Sequence, residues 1–219
     1  LLANAGVLIR YRDTALLLDG LFGRKDNPFS LLPPGCREAM LRGEPPFERL
    51  DYLLFTHYHP DHFDPEMVRA LLEHRRVKGL FYPKDEAPAV QNLSRWLQQE
   101  GIPCVPLCRG TDRAAIQIEP GISVQAFMVP HLGEEYRSVP HVCYLLSFDG
   151  RRVLFTADSD YLHEDFSRLA GTPLYAVFLN PLFYQAYYNT RLFHGHFDTD
   201  TLCAVSYTHL RAHETEADL

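Results

Sequence analysis

Short apolar segments separated by turn residues dominate the first quarter of the chain. Residues 3–11 and 14–19 are two such segments with a two-residue polar connection, which predicts a β-hairpin. Residues 51–56 are almost continuously apolar, as is typical of a strand that is buried on both faces of a sheet. Between them, residues 20–50 are rich in glycine and proline and predict a long loop with little regular structure.

Apolar residues spaced by three and four predict two helices, over residues 66–75 and 86–100. Asp64 is expected to be the N-cap of the first helix with Pro65 at its first position, and Gly101 is expected to end the second. The other apolar segments predict strands at residues 79–82, 102–107, 114–118, 122–129, 141–148, 152–156 and 174–179, with a short helix near residues 164–169. This order of strands and helices is typical of an α/β domain.

The composition indicates a globular protein. Hydrophobic residues make up 46% of the 219 residues, and no apolar run is long enough to cross a bilayer. The formal net charge is −7 and no cluster of lysine or arginine stands out, which disfavours a protein that binds nucleic acid. We therefore expect a small-molecule substrate, with neither a membrane nor a nucleic acid as partner.

The cysteines favour a reducing compartment. There are five, an odd number, scattered along the chain: Cys36, Cys104, Cys108, Cys143 and Cys203. This pattern predicts no disulfide framework, and the cytoplasm is the expected location. Cys104 and Cys108 have a spacing loosely like that of metal ligands, but no second pair accompanies them, so we interpret them as inert thiols.

The two ends of the chain indicate a fragment with a foreign tail. The first residue is Leu1 rather than methionine, and residues 204–219 differ abruptly in character from what precedes them. That tail resembles translated sequencing-adapter read-through, which would have to be excluded from reasoning about the fold. We expect one domain over residues 1–203, truncated at both ends, and a non-native segment over residues 204–219.

Three histidines and one aspartate stand within six residues, directly after the strand predicted at residues 51–56. They are His57, His59, Asp61 and His62. Residues two apart in an extended segment project to the same side, so His57 and His59 can reach one metal ion. After a turn, Asp61 and His62 can face a neighbouring ion. Imidazole and carboxylate are natural ligands of zinc and, less specifically, of iron or manganese. The alternative, a polar loop that happens to contain histidines, has no packing reason to collect them at this density.

The pattern H-x-H-x-D-H after a hydrophobic strand resembles the signature of the metallo-β-lactamase superfamily, and the likeness extends from about Leu1 to Cys203. The resemblance implies an α/β fold, a four-layer αβ/βα sandwich with two metal ions at one edge of its sheets, here incomplete at the C-terminus. It also implies that Asp19, at the end of Leu17-Leu18-Asp19-Gly20, supports the metal site from outside the ligand shell.

The same resemblance implies further ligands at the ends of later strands. His131, in Val129-Pro130-His131, matches the third ligand of the first metal, with His141 as an alternative whose position better suits a supporting role. Asp158, at the end of Leu154-Phe155-Thr156-Ala157-Asp158, matches the aspartate that bridges the two metals, with Asp160 as a weaker alternative.

The last histidine of the family pattern has no clear match. His194 and His196 are available, with His196 as a weak substitute, but no strong strand precedes them, so we interpret the true ligand as lost beyond Cys203. The helical spacing of His209 and His213 lies in the segment interpreted as foreign. The two histidines in predicted helices, His74 and His163, are interpreted as surface or packing residues.

The resemblance implies a metal-dependent hydrolase, most simply with zinc, in which a metal-bridging hydroxide attacks an ester-type bond. Phosphodiesters, lactones and thioesters are the candidate substrates, and Asp61 is the expected catalytic residue because it can orient the attacking water or accept its proton. Two alternatives remain open. One is a di-iron redox enzyme of the same fold, and the other is a degenerate metal-binding module without activity.

Overall fold

The structure is a computed structural model that describes residues 1–2, 5–23, 31–108, 114–160 and 166–179. The chain divides into two compact units, Leu1–Thr111 with Val139–Val142, and Asp112–Ser138 with Cys143–Leu219. Among the helices in these described ranges, none combines the length and the apolar character that crossing a membrane requires.

The first unit is built on a five-stranded sheet in the order β1-β2-β3-β4-β5. Its strands are β1 (Val7–Tyr11), β2 (Thr14–Leu18), β3 (Tyr52–Leu54), β4 (Gly79–Pro83) and β5 (Cys104–Leu107). The first two strands form the predicted antiparallel hairpin, and each later strand adds in parallel to the one before it. A parallel addition requires a crossover connection, which the helices of this unit supply.

Three helices belong to this unit: α1 (Cys36–Arg42), α2 (Pro65–His74) and α3 (Pro88–Gln99). Their apolar faces join the inner faces of the strands in one core. Leu53 of β3, Val68 of α2 and Val90 of α3 are completely buried in it. All three residues of β3 are buried, as the continuous apolar pattern of residues 51–56 predicted, and all five residues of β2 are buried as well.

Helix α2 begins as the sequence predicted. Asp64 has extended backbone angles, and its carboxylate accepts hydrogen bonds from the backbone N–H groups of Glu66 and Met67, with Pro65 at the first helical position. Because this cap fixes where the helix starts, it also fixes the end of the loop that carries residues 57–62.

Helix α1 corrects the prediction of a loop over residues 20–50. It lies between two glycines with left-handed backbone angles, Gly35 (φ 79°) and Gly43 (φ 67°). It spans seven residues, and Met40 is its buried one. A helix of fewer than two turns with glycine at both ends has no apolar repeat and no side-chain cap, so sequence patterns cannot distinguish it from a loop.

The second unit contains a five-stranded sheet in the order β10-β9-β8-β7-β6. Its strands are β6 (Ile116–Glu119), β7 (Ile122–Met128), β8 (Val142–Phe148), β9 (Arg151–Ala157) and β10 (Ala176–Leu179). Strands β8 and β9 form the hairpin predicted from Asp149-Gly150, whose positive φ angles of 48° and 85° match the favoured hairpin turn. Its core includes Phe127, Cys143 and Leu154.

In the segment predicted as a short helix near residues 164–169, Phe166 is helical and Ser167–Leu169 form a 3-10 turn, while residues 164 and 165 lie outside the described residues. Residues 180–219, which include the tail interpreted as foreign, lie outside the described residues. The domain boundary predicted at residue 203 therefore stays a prediction.

Candidate metal centre

Asp19 follows β2 and is completely buried. Its backbone is left-handed (φ 45°), and its N–H donates to the carbonyl of Leu54 in the neighbouring strand (2.9 Å). The turn after β2 thus directs the Asp19 carboxylate toward the residues that follow β3. A buried carboxylate requires hydrogen-bond donors, and the end of β3 provides them.

Thr56 donates twice to Asp19. Its backbone N–H reaches Oδ1 at 2.8 Å, and its hydroxyl reaches Oδ2 at 2.6 Å. Asp19 Oδ2 also accepts a hydrogen bond from His62 Nδ1 (2.9 Å). The Thr56 hydroxyl lies farther from the same nitrogen, at 3.4 Å. One carboxylate therefore holds the beginning and the end of the segment that contains the predicted ligands.

This network determines which ring nitrogens carry hydrogen. The Thr56 hydroxyl has one proton, which is directed to Asp19, so at its contact with His57 Nδ1 (3.0 Å) it must accept. His57 therefore carries hydrogen on Nδ1 and presents the lone pair of Nε2. His62 likewise donates from Nδ1 to Asp19 and presents the lone pair of Nε2. An outer carboxylate or hydroxyl that fixes the tautomer is the usual support of a metal-binding histidine.

The four predicted motif residues lie together in the first unit. The N–H groups of His62 and Phe63 both donate to the His59 carbonyl (3.1 and 3.0 Å), which closes a tight turn. The turn brings the His57 ring to centroid distances of 4.6 Å from His59 and 4.1 Å from His62. His57 and His59 each offer a ring nitrogen, and these lie within 4.8 Å of one another. Asp61 Oδ2 lies 3.6 Å from His62 Nε2.

His141 lies beside this cluster in the first unit. It is buried, and its ring centroid is 5.1 Å from that of His57. The next residue, Val142, donates its N–H to the carbonyl of Thr56 (2.9 Å). His141 therefore packs against one of the predicted ligands, and its supporting role stays a prediction.

The second unit brings His131 and Asp158 together. His131 Nε2 lies 3.7 Å from Asp158 Oδ2, and both residues follow strands of the same sheet. His131 Nδ1 lies 2.7 Å from the Leu132 carbonyl, to which it can only donate, so the lone pair of His131 is again on Nε2. The β9 strand ends at Ala157, whose left-handed φ of 44° turns the chain at Asp158.

Asp160, the weaker alternative to Asp158, has a different partner. Its Oδ2 lies 2.6 Å from Nη2 of Arg137. Because a carboxylate in a close ion pair with arginine is less available to a metal, this contact favours Asp158 as the ligand.

Several predicted residues lie outside the described part of the chain: His163, His194, His196, Cys203, His209 and His213. His74 is exposed, and its Nδ1 lies 2.8 Å from the Ala70 carbonyl of its own helix, as expected of a surface residue. The four cysteines in the described ranges form no disulfide with one another.

Sequence reasoning missed two residues of the site: Thr56, which contacts the predicted ligands His57 and His62, and Arg137, which contacts Asp160. Thr56 has no signal of its own beyond its place directly before His57. Arg137 stands in a polar turn, and only the folded chain brings it to Asp160.

The fold and these two groups of side chains define an α/β protein with a histidine-rich potential metal site. A family model described as the beta-lactamase superfamily domain matches residues 16–212. The chain therefore belongs to the metallo-β-lactamase superfamily, and the predicted α/β fold class is confirmed.

Solved structures share this fold at low sequence identity. CmlA, a diiron beta-hydroxylase from Streptomyces venezuelae, is 24% identical with a TM-score of 0.55, and the match covers 91% of this chain and 38% of CmlA. An isothiocyanate hydrolase from Delia radicum gut bacteria is 14% identical (TM-score 0.55), over 82% of this chain and 69% of that one. A metallo hydrolase from the archaeon Ignicoccus hospitalis is 16% identical (TM-score 0.50), over 80% and 65%.

The chain spans little more than a third of the length of CmlA, 34% in one structure and 38% in another. A comparison with curated proteins finds no match.

Proposed function

We propose that this protein is a metal-dependent hydrolase that cleaves an ester-type bond in a small molecule with the help of two divalent metal ions. The proposed ligands are those carried over from the family pattern: His57, His59, Asp61, His62, His131 and Asp158. Zinc is the proposed metal, and the cytoplasm, inferred from the cysteines, is the proposed location.

The observation that carries this proposal is the tautomer of three buried imidazoles, which their hydrogen bonds fix. His57, His62 and His131 each direct Nδ1 to an oxygen of the protein, so each presents the lone pair of Nε2. A metal ligand needs a fixed tautomer. The exposed His74 also directs Nδ1 to a carbonyl, and burial distinguishes these three rings from it. All three rings are almost completely buried, so their orientation is held by packing as well as by hydrogen bonds.

The donor set fits divalent metal ions. Neutral imidazole nitrogens with a minority of carboxylate oxygens suit zinc, and they also suit iron and manganese. Bound divalent ions would lower the pKa of water and polarise the bond under attack. The chain holds these donors on loops that directly follow strands, so the sheets act as the rigid support that positions them.

Asp61 is the proposed catalytic residue. It is largely buried, and the Asp19–His62 hydrogen bond fixes its neighbour in the turn. From this position its carboxylate would orient the attacking water and accept its proton. Asp158 would supply a carboxylate ligand beside His131, whose Nε2 lies 3.7 Å from its Oδ2.

A di-iron oxidase or oxygenase is the second candidate, because CmlA is named a diiron beta-hydroxylase and shares the fold. The histidine-rich donor set is compatible with either metal. A degenerate module without activity is disfavoured by the complete H-x-H-x-D-H pattern.

The decisive experiment combines metal analysis with activity. The protein is expressed in medium supplemented with zinc and iron, and its metal content is measured. It is then assayed with p-nitrophenyl phosphodiesters, lactones and thioesters, with and without a chelator and with and without oxygen. Chelator-sensitive hydrolysis that does not depend on oxygen supports the proposal. Iron with oxygen-dependent turnover overturns it in favour of the redox enzyme. Protein that shows no chelator-sensitive activity on any of these substrates overturns it in favour of the module.

A further inference from the structure

The loops that carry His131 and Asp158 meet although their strands are not neighbours. Strand β8 lies between β7 and β9 in the sheet order. Beyond the strand ends, His131 and Ser159 form an isolated antiparallel bridge. Two backbone hydrogen bonds accompany it, from the N–H of Leu132 to the carbonyl of Asp158 (2.9 Å) and from the N–H of Asp160 to the carbonyl of Pro130 (2.7 Å).

Leu132 connects the two predicted ligands through its own backbone. Its carbonyl accepts the hydrogen bond from His131 Nδ1, and its N–H donates to the Asp158 carbonyl. Any rotation of the Leu132 backbone would therefore change the orientation of the His131 ring and the position of Asp158 together. The separation of His131 Nε2 from Asp158 Oδ2, 3.7 Å, depends on this backbone being held.

After Leu132 the chain makes a short 3-10 turn, Glu134–Tyr136, and Arg137 follows it. Arg137 Nη2 then lies 2.6 Å from Asp160 Oδ2. The two side chains are 36% and 12% exposed, so the pair is shielded from solvent on the aspartate side. Charge-assisted hydrogen bonds of this length are the strong ones, and partial burial reduces their screening.

The competing partner of Arg137 is weaker. Glu134 Oε1 lies 3.5 Å from the same nitrogen, and its side chain is 90% exposed. An exposed ion pair between residues three apart contributes little to the free energy of folding. Asp160 is thus the partner that holds Arg137, and with it the loop that follows His131, against the loop that carries Asp158.

Tyr136 adds a second contact from the same turn. Its ring centroid is 5.2 Å from that of His131, at an angle of 58°. Tyr136 therefore contacts the predicted ligand His131, and the next residue, Arg137, contacts the loop that carries Asp158. If Arg137 released Asp160, the turn that places Tyr136 against His131 would lose its attachment.

We propose that Arg137 is a positioning residue for the metal site: through its ion pair with Asp160 it holds the His131 and Asp158 loops at the spacing that the metal ions require. The inference rests on the proposed function, because it assumes that His131 and Asp158 bind metal. It assigns Arg137 no contact with substrate.

The test measures metal binding by the Arg137→Ala and Asp160→Asn variants. Zinc affinity is determined by competition with a chromophoric chelator, and the coordination geometry is followed by the visible spectrum of the cobalt(II)-substituted protein. We expect both variants to bind metal about 10–100-fold more weakly, the range found when outer partners of ligands are removed. The cobalt spectrum should change, and the double variant should be no weaker than the worse single one, because both remove the same contact. Arg137→Lys, which keeps the charge but loses the planar fork, should recover part of the affinity.

Glu134→Gln is the matched control, since it removes the other carboxylate near the same arginine. It should leave the affinity, the cobalt spectrum and the melting temperature unchanged. Wild-type affinity and an unaltered spectrum in Arg137→Ala would overturn the inference while leaving the proposed function intact. An equal loss in Glu134→Gln, or a loss that merely follows a lower melting temperature of the metal-free protein, would overturn it too. A wild-type protein that binds no metal would overturn both proposals.

Discussion

Thr56 donates two hydrogen bonds to the carboxylate of Asp19. Its N–H donates to Oδ1 (2.8 Å) and its hydroxyl to Oδ2 (2.6 Å). The two residues are 37 positions apart in the chain. Their contact connects the end of β2 to the first residue of the ligand-bearing segment. It also explains why His57 carries hydrogen on Nδ1, since the only proton of the Thr56 hydroxyl is already directed to Asp19.

The Asp19→Asn substitution tests this buried carboxylate. An amide nitrogen in place of Oδ2 presents hydrogens where the Thr56 hydroxyl and His62 Nδ1 both require an acceptor. We expect the free energy of unfolding of the metal-free protein to fall by about 1–3 kcal/mol, the usual cost of an unsatisfied buried polar group. Metal affinity should fall about 10–100-fold. Urea denaturation and metal titration measure the two effects.

Asp13→Asn is the control for Asp19→Asn, because Asp13 is exposed in the turn of the β1–β2 hairpin. It should behave as the wild type in both measurements. Wild-type metal affinity in Asp19→Asn would show that the carboxylate does not orient the predicted ligands.

The Thr56→Val substitution keeps the shape of the side chain and removes its hydroxyl. His57 Nδ1 then loses its acceptor, and the ring is no longer restricted to one tautomer. We expect nitrogen NMR of the metal-free protein to show a single His57 tautomer in the wild type and a mixture in Thr56→Val. Thr56→Ser, which retains the hydroxyl, should resemble the wild type. A single unchanged tautomer in Thr56→Val would contradict the assignment.

The elements that could be predicted from sequence carry their signals locally. The N-cap at Asp64 with Pro65, the hairpin at Asp149-Gly150 and the buried strand before His57 are each encoded in a few adjacent residues. Such signals depend on backbone geometry and burial, which neighbouring residues largely determine. The motif residues could be predicted for the same reason, because their spacing is local.

What could not be predicted depends on contacts between distant segments. The helix Cys36–Arg42 has no local signal beyond two glycines, and burial of Met40 in the core stabilises it. The ion pair of Arg137 with Asp160 requires two loops to meet across an intervening strand. Neither the helix nor the ion pair has a signal in the local sequence, because contacts with distant segments supply the free energy that stabilises it.

The His59→Ala substitution separates metal binding from folding. His59 lies in a turn whose backbone carbonyl accepts the two hydrogen bonds from His62 and Phe63, and these survive the loss of the side chain. We expect the variant to keep its circular dichroism spectrum and to lose metal and turnover. His74→Ala, an exposed histidine on α2, should lose neither. Full activity in His59→Ala would show that the ligand assignment is wrong.

The Asp64→Ala substitution removes the N-cap of α2. Two backbone N–H groups, those of Glu66 and Met67, lose their acceptor. We expect the free energy of unfolding to fall by about 0.5–2 kcal/mol in urea denaturation, as is usual for the loss of a cap. Asp64→Ser can still accept one of these bonds and should recover most of the stability. If Asp64→Ala were as stable as the wild type, α2 would be held by its apolar face alone.

The Tyr82→Phe substitution tests a buried hydroxyl at alkaline pH. Burial raises the pKa of Tyr82, the nearby thiols of Cys104 and Cys108 raise it further, and the hydrogen bond to Ser94 (2.9 Å) opposes them. Because the folded protein holds this proton more tightly than the unfolded chain does, the resulting stabilisation is complete below about pH 10 and is lost as the pH rises through the folded pKa. Burial also raises the pKa of Cys104, so part of the decline begins near pH 8.5, roughly the ordinary thiol value.

The variant should therefore be less stable at neutral pH by about 1 kcal/mol, because Ser94 loses its partner. Above about pH 10 its free energy of unfolding should decline less steeply than that of the wild type, whereas the decline from Cys104 should persist. Urea denaturation between neutral pH and pH 11 measures both slopes. Cys104→Ala removes its own part of the earlier decline, and the part due to Cys36, whose pKa burial also raises, remains. Identical alkaline slopes in the wild type and in Tyr82→Phe would mean that the phenol ionises equally easily in the folded and unfolded chains, which its burial against Ser94 and Cys104 argues against.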